Sequence, residues 1–273
     1  MDIFAFLYRG ALAAYLVSTL TYLVSLFSRR VAPARIATWI LAGAWGCHVL
    51  FFLGQWAVRG RNPFFGLPDS LSFFALVMAG VYLAFQFRTK TRVLGVFVSP
   101  AVFLLMIVAS VGIGGPLTAP EILRGGLVSL HAMLSLIGEA LFALASAAGL
   151  AYLIQDGLLK RRKASRLMKL FPSLRDLDRI NHLCLLWGFP LLTLGIVAGA
   201  IWARTVWGSH WQWDPKQIWT LAAWLIYAVL LHQRLAIGWR GHKTALLSVA
   251  AFLVLLAALL VEQHFFTTIH RFN

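Results

Sequence analysis

The stretch Trp207-Gly208-Ser209-His210-Trp211-Gln212-Trp213-Asp214-Pro215 sets three indoles and one carboxylate in a short polar interruption between two long apolar runs. A single tryptophan near an apolar segment reads as an interfacial anchor, because indole suits the headgroup region of a bilayer. Three at positions 207, 211 and 213, followed at once by Asp214 and the helix-starting Pro215, offer flat apolar faces with a charge beside them. A planar, largely apolar ligand with a polar edge fits such a loop, and a porphyrin is one. If the ligand is haem, its iron needs axial ligands, histidine being the commonest. The chain holds eight histidines. Which of them can serve the loop depends on the elements that carry them.

Those elements are apolar and recur in blocks of about 20 residues, each near the ~20 needed to cross ~30 Å of hydrocarbon. With 60% hydrophobic and 12% charged residues over 273 positions, the chain has more apolar surface than a soluble domain can bury. The expected fold is all-α: a polytopic membrane helix bundle forming a single integral membrane domain over 1–273. Eight spans are predicted, at Ile3 to Phe27, Ile36 to Ala57, Leu71 to Phe87, Val93 to Gly112, Leu127 to Leu159, Leu183 to Ala203, Ile218 to Ile237 and Ala245 to Phe266. The first is read as a span and not a signal peptide, since it lacks a basic N-region and ends in Arg29-Arg30.

The formal net charge of +15 would point to nucleic acid in a soluble protein. Here most of the 24 Lys and Arg residues fall in the loops after spans one, three, five and seven, which makes them topology determinants beside anionic lipid. The positive-inside rule places those loops in the cytoplasm and both termini outside. The tryptophan-rich loop, about 204–217, the Gly112 to Gly126 loop and the C-terminal tail then share the outer face of the cytoplasmic (inner) membrane. Cys47 and Cys184 both lie in apolar segments with no CxxC or CxxCH spacing, which excludes a dithiol oxidoreductase and a covalently haemylated cytochrome.

On this topology His131, at the outer start of span five, and His270, just beyond span eight, are level with the tryptophan loop and are the candidate axial pair. His264 is the rival for the second position. His210, in the loop, could also contact a ligand, but a structural role is the expected one. His232 follows Asp214 by 18 residues, about 27 Å along a helix, and cannot serve the same iron. His48, in the middle of span two, and Glu139, eight residues beyond His131, are intramembrane polar groups with two readings each: a ligand contact or a hydrogen bond to a neighbouring helix. Glu262 carries the same two readings. His182 and His242 are placed in cytoplasmic loops with nothing specific to do.

The run Trp207-Gly208-x-x-Trp211-x-Trp213-Asp214-Pro215-Lys216, then Trp219, Trp224 and Tyr227, resembles the tryptophan-rich WWD signature of the cytochrome c assembly family of haem-handling membrane proteins, in particular its CcsA/ResC and HemX-like branches. Gly195-Ile196-Val197-Ala198-Gly199-Ala200-Ile201-Trp202-Ala203, His131 and Leu231-His232 agree with it. Gln217 stands where the signature commonly has glutamate, and the tail from Val261 to His270 lacks the family's usual run. The resemblance implies a protein that holds haem b non-covalently at the outer face. His131 and His270 would be the iron ligands, Trp207, Gly208, Trp211, Trp213 and Asp214 would lie against the porphyrin, and His232 would belong to a second, lower haem site. The implied partners are a CcsB/ResB-like membrane protein and the CxxCH of apocytochrome c, with no catalysis by this chain alone beyond a possible part in a haem lyase or synthase. The HemX-like alternative is a membrane regulator that lowers the level of glutamyl-tRNA reductase. A transporter without haem would leave the tryptophan loop unexplained.

Overall fold

The computed structural model describes residues 3–28, 32–59, 66–89, 92–112, 125–160 and 171–265, with side chains for all of these except 59, 66, 89 and 258–265. The described residues form eight α-helices: α1 (Ile3–Phe27), α2 (Ala32–Arg59), α3 (Gly66–Thr89), α4 (Gly95–Ser110), α5 (Gly126–Lys160), α6 (Leu174–Trp207), α7 (Pro215–Leu235) and α8 (His242–Phe265), with a 3-10 turn at Arg92–Leu94. The seven from α1 to α7 are long and apolar enough to cross a membrane, and α8 is apolar over His242–Ala257. The protein is an all-α polytopic membrane bundle. The helices group into two compact units, α1–α4 and α5–α8.

In the first unit α1 packs on α2 and α4, and α3 on α4. Most of the hydroxyl-bearing residues of α1 are turned inward. Tyr8, Tyr15, Ser18, Thr19, Tyr22 and Ser25 are buried, while Leu16, Val17, Leu20, Leu23, Val24 and Phe27 are exposed. In lipid this is the favourable arrangement, because hydrocarbon satisfies leucine and valine but offers hydroxyls nothing. The inward hydroxyls are paired: Tyr8 donates to the Met106 carbonyl (2.6 Å), Ser18 to the Ala37 carbonyl (3.0 Å), and Tyr22 bonds Thr38 (2.9 Å) and Tyr82 (3.0 Å).

The second unit is built on the α5–α6 pair, with α8 against α5 and α7 against α8. Gly138, Gly188, Gly195 and Gly199 let the two long helices approach. An added Cβ at Gly188 would meet Phe142, one at Gly195 would meet Ser135, and one at Gly199 would meet the His131 ring. Helix α7 is fixed by Trp224, whose indole N–H donates to Thr193 Oγ1 (2.9 Å) and whose ring stacks on Phe189.

Two boundaries differ from the sequence expectation. Helix α6 starts nine residues before Leu183, because Ser173 caps it: its side chain accepts from the Asp176 N–H and donates to the Asp176 carboxylate. At 34 residues the helix is about 51 Å long, so its ends pass beyond the hydrocarbon. Helix α3 starts five residues before Leu71 and runs 24 residues from Gly66.

Candidate functional site

The tryptophan loop is a tight, internally bonded return between α6 and α7. Helix α6 stops at Gly208, whose φ of 74° is left-handed and whose N–H closes on the Arg204 carbonyl. Ser209 Oγ then donates to the Trp211 carbonyl (2.9 Å) and accepts from the Trp211 N–H. Asp214, buried, caps α7 by accepting from the Lys216 N–H (3.1 Å), with Pro215 in the first turn. Gln217 reaches back so that its side-chain oxygen accepts the Gln212 N–H (2.8 Å). A carbonyl oxygen does here what a carboxylate would, so a glutamine is sufficient at that position.

The chain doubles back along α6 within this loop. His210 Nδ1 donates to the Ala200 carbonyl (3.1 Å) and Nε2 faces the Arg204 guanidinium (3.4 Å), so both ring nitrogens are engaged in holding the loop. The indoles do not form one flat wall. Trp207 meets Trp202 of α6 edge-on (5.1 Å, 74°), and Trp211 meets Trp213 edge-on (5.7 Å, 89°). Trp213 is 77% exposed and sits at φ 54°, a left-handed conformation that a bulky residue adopts at a cost. Trp211, half-buried, keeps a buried indole N–H with no acceptor among the described residues.

His131 lies in the second turn of α5, half-buried, its ring against Gly199 and its Nδ1 2.7 Å from the Gly195 carbonyl. A carbonyl only accepts, so Nδ1 carries the proton and Nε2 presents a lone pair. That is the tautomer and orientation a metal-ligating imidazole needs, fixed by a backbone acceptor. His131 packs eight and twelve residues before the end of α6. From the loop, the His210 side chain reaches back to the Ala200 carbonyl, next to Gly199 in sequence. Lys216, at the start of α7, is within electrostatic reach of the His131 ring. Among the described residues no group of three or more His, Cys, Asp or Glu is placed to hold a bare metal ion.

The sequence matches the family described as Cytochrome C assembly protein over residues 65–270. The chain belongs to this family. Relatives of the chain include the cytochrome c biogenesis protein CcsA of Chlamydomonas reinhardtii, 33% identical over 215 residues, covering 76% of this chain and 59% of that protein. The CcsA of Trieres chinensis is 31% identical over 240 residues, covering 76% and 77%. The cytochrome c haem lyase CcmF superposes with a TM-score of 0.67 at 17% identity, covering 94% of this chain and 48% of that one, which is a likeness of fold. The chain thus spans about three-fifths of the Chlamydomonas relative and half of the lyase.

The remaining candidates of this family member are spread along the helices. His232 is exposed in the last turn of α7, at the end of that continuous helix away from the loop. His270 lies outside the described residues, as do the side chains of its rival His264 and of Glu262. His48 is fully buried in the first unit between Tyr15 Oη (3.3 Å from Nδ1) and Ser72 Oγ (2.9 Å from Nε2), which takes the hydrogen-bonding reading of that residue over the ligand reading. Glu139 is half-buried and within electrostatic reach of Tyr227, a residue the motif supplied with no role attached.

Two histidines were placed wrongly by sequence. His182 is not in a loop but in the third turn of α6, its Nδ1 buried. His242 opens α8 and pairs with the Asp156 carboxylate (2.9 Å), which also accepts from Lys160 (2.8 Å). Sequence reading also missed Asp178 and Arg234. Arg234 forks onto both carboxylate oxygens of Asp178 (3.0 and 2.7 Å), and the carboxylate also accepts from the Gly241 N–H (2.9 Å). An arginine in the last turn of a span looks like one more topology charge, and only the register of α6 against α7 reveals the pair.

Proposed function

We propose that this chain is the haem-handling subunit of a CcsA-type cytochrome c biogenesis machinery. It binds haem b as cargo through His131 and the tryptophan loop and presents it to the CxxCH of apocytochrome c. The observations that carry the reading are the His131 ring, held by the Gly195 carbonyl so that Nε2 presents a lone pair, and an exposed indole, Trp213, on a strained backbone in the loop that follows α6. These groups fit a planar ligand whose iron takes an imidazole and whose faces take indole. The haem supplies the vinyl groups to which cytochrome cysteines add. The protein's part is to orient it and shield it, converting an encounter into a positioned reaction.

His270 is the second axial ligand in this proposal, and His232 belongs to a separate haem site about 27 Å along α7 from the loop. The whole chain is one haem-handling membrane domain in the cytoplasmic (inner) membrane, with the loop and both termini outside, an orientation that the distribution of Lys and Arg among the loops supports. A CcsB/ResB-like membrane protein is its partner. The cytochrome c biogenesis relatives favour this reading over regulation of glutamyl-tRNA reductase.

The test is the oxidised and reduced absorption spectrum of the protein purified in mild detergent, for wild type, His131→Ala and His270→Ala. A low-spin bis-histidine spectrum in the wild type that is lost in both variants is the expected result. A folded wild type without haem from haem-replete cells overturns the proposal. Loss in His131→Ala alone reassigns the second ligand, with His264→Ala as the next variant.

A further inference from the structure

Near the middle of α7 a buried aromatic pair joins that helix to α5. Phe142 and Tyr227 stack face to face, their centroids 3.6 Å apart and their planes within 6° of parallel. Phe142 also lies against Gly188 of α6, where an added Cβ would come within 2.8 Å of the ring. Both rings are sealed from the surface, at 0% and 1% exposure. The Tyr227 hydroxyl nevertheless ends in this packing with no acceptor among the described residues. A phenylalanine would stack as well without leaving a costly unpaired O–H.

Glu139 is the group placed to answer that hydroxyl. It precedes Phe142 by three residues, which makes the two side chains neighbours on one face of α5, and it is within electrostatic reach of Tyr227. Among the described residues, α6 presents Gly188, Leu192 and Thr193 at this level, Thr193 being occupied by the Trp224 indole N–H. Helix α8 meets α5 further from the loop, at Gly149, and the side chain of its Glu262 lies outside the described residues. On α5 itself the nearest titratable group is His131, eight residues or about 12 Å towards the loop. Lys216 of α7 lies within electrostatic reach of that ring.

A carboxyl among transmembrane helices is costly in its ionised form, and any negative charge brought near raises the cost. Its hold on a proton therefore follows the charge of its neighbours. The iron that His131 is proposed to take changes by one unit between ferric and ferrous, and across about 12 Å of apolar protein such a change is weakly screened.

We propose, on the haem reading of His131, that Glu139 and Tyr227 form a redox-linked proton site. The Glu139 carboxylate takes one proton from water when an external one-electron reductant supplies the iron with one electron. It gives the proton back on oxidation, so the charge of the region is conserved. The Tyr227 O–H donates to the carboxylate in its ionised state and stabilises that state.

The test is the midpoint potential of the haem in the full-length protein, titrated with dithionite at a series of pH values, for wild type, Glu139→Gln, Glu139→Asp and Tyr227→Phe. An electron on the iron strengthens the carboxyl's hold on its proton. The wild-type midpoint therefore falls as pH rises through the window between the carboxyl's pKa in the oxidised and in the reduced protein. The slope is expected to flatten in Glu139→Gln and to persist in Glu139→Asp. In Tyr227→Phe the window moves to higher pH, because the ionised form has lost its donor. A slope in Glu139→Gln equal to that of wild type overturns the proposal, as does a Tyr227→Phe profile that superposes on wild type. The carboxyl C=O stretch in pH-difference infrared spectra reads the same proton without haem. A band lost in Glu139→Gln and displaced in Tyr227→Phe is expected, and identical spectra of wild type and Glu139→Gln overturn the site. A folded protein that shows the band but carries no haem keeps the proton site and overturns the haem reading.

Discussion

Gly199 lacks a side chain at the one place on α6 where the His131 ring needs the space. A Cβ there would sit 2.6 Å from Nδ1 and 2.8 Å from Cε1. Gly199→Ala is therefore expected to push the ring off the Gly195 carbonyl, costing about 1–3 kcal/mol of overpacking. The low-spin haem band should weaken in proportion, measured against protein absorbance after purification. An unchanged band would mean that the hydrogen bond does not prepare the ligand. Trp213 makes the opposite trade. Its φ of 54° costs stability, and its indole, 77% exposed, gains little from burial in return. Trp213→Gly should therefore raise stability by about 1 kcal/mol, because glycine carries no penalty in the left-handed region. The same variant should lose haem on dilution faster than wild type. A variant that is both less stable and equally retentive would remove Trp213 from the site.

At the scale of elements, the fold was legible wherever hydropathy alone decides. The apolar runs of α1, α2, α4, α5 and α7 appear in sequence as they stand in the structure, because a span must be about 20 apolar residues and little else satisfies lipid. The beginning of α6 was not legible. Residues 174–182 carry two Arg and two Asp, a composition that reads as a loop, yet they are helical because Ser173 caps them and because Asp178 and Asn181 find partners on α7 and α8. Those partners depend on register, which no single segment encodes. The Asp178–Arg234 pair ties α6, α7 and the Gly241 turn together, and the arginine side chain is only 6% exposed. Arg234→Ala should cost about 3–5 kcal/mol, since it strands a partly buried carboxylate. The double variant Asp178→Ala, Arg234→Ala should recover part of that loss in thermal denaturation. Additive losses would show that the two side chains act independently.

For the whole molecule, the candidate ligands among the described residues, His131 and His232, lie in the second unit, whereas the histidine that drew attention by its depth, His48, lies in the first. Depth in a membrane marks a polar residue as costly, but it does not distinguish a ligand from a strut. That distinction comes from what the two ring nitrogens meet. His131 has one nitrogen bound to the Gly195 carbonyl, whereas His48 has Tyr15 on one nitrogen and Ser72 on the other. The inward polar stripe of α1, with Tyr15 at its middle, is the frame into which His48 fits, and an apolar average over that helix conceals it. His48→Ala should therefore act on folding alone. It leaves a cavity and orphans the Tyr15 and Ser72 hydroxyls, a loss of about 2–5 kcal/mol. The protein recovered should carry haem at the wild-type ratio with an unchanged low-spin spectrum, in contrast to His131→Ala. A His48→Ala protein of wild-type stability but without its haem would reverse the assignment of strut and ligand and move the haem site into the first unit.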